Sequence, residues 1–245
     1  CRSIAEAEEQ LEALAARRTP PDKVESTWVI HRWAKLGEAD RALSVLRFTS
    51  AQGIRPDSMS FNAVIDAFAA GGKVEKALSL LDEMACNGQN TVPTPVTFNS
   101  VLKACARSGD IAKTSEVLRD MRLQRCEPDI ISYNSAISAC AKVAADRKAE
   151  EILQDMQQRT IPPDLVSFNT ALSACARAGS SASALPMLRR LEEARLSPDV
   201  FTFSSLISCF AQDSHVEAAV RTLADMRERG LRPNVVCFNA ALRAC

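Results

Sequence analysis

Several things are scarce in this chain of 245 residues, and each scarcity closes off an architecture or a chemistry. Eight glycines and eleven prolines make up about 8% of the residues, below the roughly 12% of average usage, so a turn-rich all-β fold is disfavoured. Aromatic residues are 5% of the chain, with one Tyr and two Trp. No apolar run approaches the ~20 residues of a membrane helix, and the first residues lack the basic flank and apolar stretch of a secretory signal, so no membrane is expected as a partner. Net charge is zero, from 30 basic and 30 acidic residues, which argues against coating nucleic acid through bulk electrostatics. Phosphate-binding loops, nucleophile elbows and zinc-protease or deaminase motifs are missing, so the chain is expected to be no enzyme, with no cofactor and no small-molecule substrate. No Cys-x-x-Cys pair occurs, and His31 and His215 have no Cys or His at ligand spacing, so no metal site is expected.

What the chain does have is a period. An aromatic followed by a small polar residue recurs at Phe61-Asn62, Phe98-Asn99, Tyr133-Asn134, Phe168-Asn169, Phe203-Ser204 and Phe238-Asn239, with spacings of 37, 35, 35, 35 and 35 residues. A second signal, Pro followed by a polar residue, recurs at Pro56-Asp57, Pro93-Thr94, Pro128-Asp129, Pro163-Asp164, Pro198-Asp199 and Pro233-Asn234. Together they divide the chain into units 23–57, 58–94, 95–129, 130–164, 165–199 and 200–234, with partial units at 1–22 and 235–245. The whole is expected to be a single array, cut mid-unit at both ends and fraying there. The first unit is the weakest, with Ser26-Thr27 in place of the aromatic pair. Unit 58–94 carries two extra residues in the stretch 87–92, which a loop absorbs at little cost.

Within each unit, positions four, seven, eight and eleven are apolar, as in Phe98, Val101, Leu102 and Cys105, the spacing of one face of a helix. After a break near Gly37, Gly72, Gly109 or Gly179 a second stripe follows, such as Val74, Ala77, Leu81 and Met84 or Val216, Ala219, Leu223 and Met226. One pair of short helices cannot bury both stripes, whereas stacked pairs share a continuous core; the expected fold is an all-α solenoid of helix-turn-helix units. Pro186 falls inside a second helix, where the missing donor is expected to kink or shorten it.

The period also accounts for most of the nine cysteines. Cys105, Cys140, Cys175 and Cys245 occupy position eleven, filled elsewhere by Trp33, Phe68 and Phe210, so they belong to the buried stripe. Helices packed about 8–10 Å apart exceed the ~7 Å Cα limit for a disulfide. Free thiols fit a reducing, intracellular compartment.

A 35-residue helical pair with Phe/Tyr-Asn near its start, Met84, Met121, Met156 or Met226 late in the second helix and a terminal Pro-Asp closely resembles the pentatricopeptide repeat family over essentially the whole chain. The resemblance implies a right-handed superhelix that binds single-stranded RNA in mitochondria or chloroplasts, one base per repeat, and admits other RNA-processing proteins as further partners. The fifth and last residues of each unit then face the base: Thr27 with Asp57, Asn62 with Thr94, Asn99 with Asp129, Asn134 with Asp164, Asn169 with Asp199, and Ser204 with Asn234, while Asn239 lacks its partner. At the fifth position Asn leaves room for a pyrimidine and Thr or Ser for a purine. At the last, ionised Asp can only accept, matching the N–H donors of U and G, whereas Asn can also donate, matching the ring acceptors of C and A. The reading is G, an unassigned pyrimidine, U, U, U, A.

The same resemblance makes the second position a base-sandwiching one: Val24, Met59, Val96, Ile131, Val166, Phe201 and Val236. Position thirteen, held by Lys35, Ala70, Arg107, Lys142, Arg177 and Gln212, is implied to face phosphate through its four basic members, although cations also suit helix C-termini. The neutral total therefore conceals a basic line. Sequence-specific RNA binding in organellar RNA processing, stability or translation is the leading expectation. A protein-binding helical scaffold is the alternative, since it needs the same stacked helices but no polar ladder.

Overall fold

The computed structural model describes residues 22–86 and 91–244, and every other helix begins directly after the polar residue that follows a proline. α1 (Lys23–Lys35), α3 (Ser58–Ala70), α5 (Pro95–Ser108), α7 (Ile130–Lys142), α9 (Leu165–Ala178), α11 (Val200–Gln212) and α13 (Val235–Ala244) alternate with α2 (Ala39–Ala51), α4 (Val74–Cys86), α6 (Ile111–Leu123), α8 (Asp146–Gln158), α10 (Ser181–Glu193) and α12 (Val216–Glu228). No strand occurs among the described residues. The stretch preceding α1, most of the two-residue insertion and Cys245 lie outside the described residues.

Local chemistry sets these boundaries. Asp57, Asp129, Asp164 and Asp199 have extended backbones, and each side chain accepts the N–H of the third residue of the helix it precedes, at 2.8–2.9 Å. Such a cap satisfies an N–H that would otherwise lack a partner and stabilises the helix by about 1 kcal/mol. The preceding proline cannot continue the earlier helix, so one dipeptide both stops and starts.

The chain forms two compact units. One contains the described residues up to Cys105 together with Arg119–Glu127; the other contains Ala106–Leu118 and the described residues from Pro128 onward. In the first, α1 packs on α2 and α3, and α3 on α2 and α4. In the second, α7, α9, α11 and α13 pack in succession, each of the first three also against the even helix that follows it. The cores are the expected stripes. Phe61, Phe98, Tyr133 and Phe168 are fully buried, as are Cys105, Cys140, Cys175, Met84, Met156 and Met226. Removing such an aromatic costs about 3–5 kcal/mol. Tyr133 replaces Phe without penalty because its hydroxyl donates to Asp155 Oδ2 at 2.8 Å.

Burial pushes the thiols up, Cys140 to about 11 and Cys175 to about 12. These groups stay protonated and pack as small apolar side chains.

The turns between odd and even helices place one residue in the left-handed region at a fixed position. Gly109 is one, at φ +78°; a Cβ there would meet Val143 Cγ1 at 2.7 Å. Ala144 and Ser214 take the same conformation, both at φ near +57°, without glycine. Glycine therefore marks only some of these turns, and the surrounding packing imposes the rest at about 1–2 kcal/mol each. Pro186 does not shorten its helix: α10 runs 13 residues like most of the others. Proline's fixed φ is itself helical, and buried Ala184, Met187 and Leu191 on either side hold the segment.

Candidate nucleic-acid interface

The odd helices expose their second and thirteenth residues, while the fifth residues before Asn239 are buried or half-buried beside the core stripe. Val24, Met59, Val96, Ile131, Val166, Phe201 and Val236 are all between 50% and 75% exposed. One exposed Val is unremarkable, but the same position exposed and apolar in every unit means that the fold does not need these side chains for its core. At the far end of the odd helices, Lys35, Arg107, Lys142 and Arg177 are exposed and form no ion pair with any described residue.

Between these two rows lie the polar pairs. In α7, Asn134 Nδ2 donates to Asp164 Oδ1 at 3.4 Å, and Asn134 Oδ1 accepts from the Ser167 hydroxyl at 2.6 Å. In α9 the same arrangement recurs: Asn169 Nδ2 donates to Asp199 Oδ1 at 3.1 Å, and Asn169 Oδ1 accepts from Thr202 Oγ1 at 2.7 Å. Two expected reading pairs are thus hydrogen-bonded to each other in advance. Asn62 and Thr94 are linked indirectly, Thr97 Oγ1 donating to Asn62 Oδ1 at 2.6 Å and lying 3.1 Å from Thr94 Oγ1. Thr27 Oγ1 reaches Ser60 Oγ at 3.2 Å, and Ser60 in turn donates to Asp57.

Ser204 and Asn234 differ. Ser204 donates back to the Phe201 carbonyl at 3.2 Å, while Asn234 Oδ1 caps α13 by accepting the Cys237 N–H at 3.0 Å. These two residues are not joined. Asn99 is 7% exposed in the first compact unit, Asp129 caps α7 in the second, and Asn239 is exposed on α13.

The carboxylates are ionised over a wide pH range. Burial alone would raise Asp164, but the Ser167 backbone N–H, the Ser167 hydroxyl and the Asn134 carboxamide outweigh it and hold the pKa below the usual carboxylate value. Asp199 is lowered in the same way by Thr202 and Asn169 acting against burial, and Asp57 by Ser60 and Lys23. At neutral pH each is an acceptor only, with Oδ1 committed to the cap.

Three rows converge on one open cavity of about 490 Å³ between α9, α11 and α13. It is lined by Arg177, Phe201, Ser204 and Val236 from the expected positions, and also by Ser208 and Arg243, which the repeat reading missed. Arg243 sits at position nine, held elsewhere by residues as unlike as His31, Asp66 and Ser138, so no recurrence marks it. A signal was present one residue before the cations: Ala34, Ala69, Ala106, Ala141, Ala176 and Ala211 recur at position twelve, and Ala176 and Ala211 line this cavity. No helix among the described residues is long and apolar enough to cross a membrane, and no cluster of three or more His, Cys, Asp or Glu among them could hold a metal.

Comparison with known proteins places these features in context. A family model described as a pentatricopeptide repeat-containing protein matches residues 25–156, more than half of the chain, and models of the same repeat match 151–213 and 198–245. A pentatricopeptide repeat-containing protein of Arabidopsis thaliana is 41% identical over 64 residues, 25% of this chain and 11% of the relative. The crystal structure of the maize pentatricopeptide repeat protein PPR10 superposes with a TM-score of 0.74 at 24% identity, covering 96% of this chain and 34% of the maize chain. The same maize protein has been solved with an 18-nt psaJ RNA element, TM-score 0.56. The corresponding domain of Arabidopsis thaliana protein-only RNase P 1, solved in complex with tRNA, matches at TM-score 0.60 and 17% identity, over 74% of this chain and 94% of that domain. These likenesses establish a shared helical-repeat fold, and the chain spans about a third of the maize protein's length.

Proposed function

Because this chain belongs to the pentatricopeptide repeat family, we propose that it binds single-stranded RNA in a sequence-specific manner, one base per repeat, without cleaving it. The observation that carries this reading is the two preassembled Asn–carboxylate pairs, Asn134 with Asp164 and Asn169 with Asp199, on helices that also carry exposed apolar side chains and cations unpaired among the described residues. Structural economy does not account for that combination. A cap needs only Oδ1 of the aspartate, and Oδ2 is then left for a ligand.

Each reader offers a donor from Asn Nδ2 and an acceptor from Asp Oδ2. Uracil presents a carbonyl beside its N3–H, the complementary pattern; cytosine presents an acceptor at N3, which the carboxylate repels. Ile131, Val166 and Phe201 supply platforms for the base faces, where stacking contributes about 1–3 kcal/mol per base on an aromatic ring and less on an aliphatic side chain. Lys35, Arg107, Lys142 and Arg177 contact phosphates. With Thr27/Asp57 favouring G and Ser204/Asn234 favouring A, the site reads 5′-G-Y-U-U-U-A-3′, and Asn62/Thr94 accepts a pyrimidine.

RNA in complex with the maize relative and tRNA in complex with the RNase P domain support binding, and the absence of any catalytic motif in the sequence supports a binding module rather than a nuclease. Organellar RNA processing, stability or translation is the context that the family resemblance suggests. Fluorescence polarisation tests the proposal directly. An RNA containing GUUUUA is expected to bind at physiological salt, and the same RNA with the central UUU changed to CCC is expected to bind at least about a hundredfold more weakly, from roughly 1–3 kcal/mol at each of the mismatched readers. Equal binding of the two RNAs, or none of either, overturns it.

A further inference from the structure

The third residue of the units is a hydroxyl wherever the preceding unit has Asn in the fifth position and the contact is resolved: Thr97 for Asn62, Ser167 for Asn134 and Thr202 for Asn169. It occupies no base-facing position and is buried. The hydroxyl oxygen completes a capping box by accepting the backbone N–H of the N-cap residue, but that role uses only a lone pair and leaves the hydroxyl proton free to act elsewhere.

Proton accounting shows what the hydroxyl does. Thr202 Oγ1 lies 2.7 Å from Asn169 Oδ1 and 2.9 Å from Asp199 Oδ1, and it accepts the Asp199 N–H at 3.1 Å. It has one proton to give. Asp199 Oδ1 already receives the Thr202 N–H at 2.8 Å and Asn169 Nδ2 at 3.1 Å, whereas the Asn169 carbonyl, on a residue only 8% exposed, has no other donor among the described residues. The proton therefore belongs to the Asn169 carbonyl. That bond fixes which way the carboxamide faces: Oδ1 toward Thr202, Nδ2 toward Asp199, with the second Nδ2 proton left for a ligand. Ser167 does the same for Asn134, at 2.6 Å to Oδ1 and 2.8 Å to Asp164 Oδ1.

The geometry points to the third-position hydroxyl as a positioning residue that sets base selectivity for the repeat before it. This inference rests on the RNA-reading function proposed above. Ser204 supplies an internal contrast: the corresponding third residue is Cys237, whose N–H bonds to Asn234 and whose thiol lies beside Met226, and Ser204 turns back on its own helix. Where the hydroxyl is missing, the fifth and last residues are not tied together.

The test uses the full chain, with Thr202→Val removing the hydroxyl at constant shape and Thr202→Ser restoring it. Dissociation constants are measured for GUUUUA and for RNAs with C at the fourth or at the fifth base, and the Asn169 side-chain NH₂ resonances are followed by NMR in the free protein. Thr202→Val is expected to lower the U-over-C ratio at the fifth base about fivefold, the scale of one hydrogen bond. The ratio at the fourth base should stay as in the parent, the Asn169 NH₂ resonances should shift as the bond to the carboxamide oxygen is lost, and Thr202→Ser should restore both readouts. Ser167→Ala should move the loss to the fourth base, which covers the case of a poorly folded Thr202→Val. Unchanged ratios and unchanged Asn169 resonances in Thr202→Val overturn the inference alone. A parent protein that prefers no base at either position overturns both this inference and the function on which it rests.

Discussion

The odd and even helices bury similar stripes but differ in what their exposed faces leave unmatched. On the even helices, several charges are matched between neighbours. Lys73, just before α4, and Lys76 of α4 both donate to Asp40 of α2, Arg190 of α10 reaches Glu150 and Gln157 of α8, and Arg229, just after α12, pairs with Glu192 of α10. On the odd helices the second-position apolar residues stand exposed, and the thirteenth-position cations have no ion-pair partner among the described residues. The even helices also expose Phe48, Leu123, Leu185 and Val220, but at no position that is apolar and exposed in every unit. The odd face carries donors, acceptors and apolar surface that the fold does not use, and such a surface points to a ligand.

The largest effect that separates the two faces is expected from replacing Lys35, Arg107, Lys142 and Arg177 together with alanine. Four phosphate contacts give a log-log salt slope of roughly −3 for a single strand, so the variant should lose most of that slope and weaken all RNAs alike, with the thermal midpoint little changed. Replacing Lys73 and Lys76 on the even face should leave RNA binding as it is. If both sets weakened binding equally, the contrast between the faces would collapse.

A smaller effect sharpens the even side. The Lys73 and Lys76 ammonium groups hold the Asp40 carboxyl at about 2, against 3.8 for an unperturbed aspartate. A depressed carboxylate stabilises the folded state above the unperturbed value, and that contribution is lost as pH falls through about 2. Carbon-detected NMR titration should find the Asp40 midpoint there, and the Lys73→Ala, Lys76→Ala double variant should return it toward the ordinary range. On the odd side, Asp164 and Asp199 are also held low, so the preference for U should persist unchanged from pH 7 to about pH 5.

Much of this was legible before the structure, for a physical reason. A stripe such as Phe98, Val101, Leu102 and Cys105 is local, and repetition makes each position visible several times over. Contacts between units are harder to read. The hydroxyl of Ser167 acts on Asn134, 33 residues away, and nothing in either segment alone announces the bond. Turn geometry was legible only where glycine stood. Ala144 and Ser214 adopt the same left-handed backbone because the helices on either side leave no other path. The expected shortening at Pro186 did not follow because it was weighed on a helix in isolation, whereas buried neighbours hold the actual segment at 13 residues.

The aspartates at the ends of the units cap helices and are the proposed base readers, and Asp164→Asn separates the two roles. Asparagine caps a helix as well as aspartate does, and Asn234 already caps α13 in this chain, so folding should be preserved. The carboxamide can donate where the carboxylate could only accept. Binding of the variant to RNAs differing only at the fourth base is therefore the most direct measurement. Preference is expected to move from U toward C at that base, with the third and fifth bases read as before. An unchanged preference for U, or no preference at that base in parent and variant alike, would contradict the assignment of these carboxylates as readers.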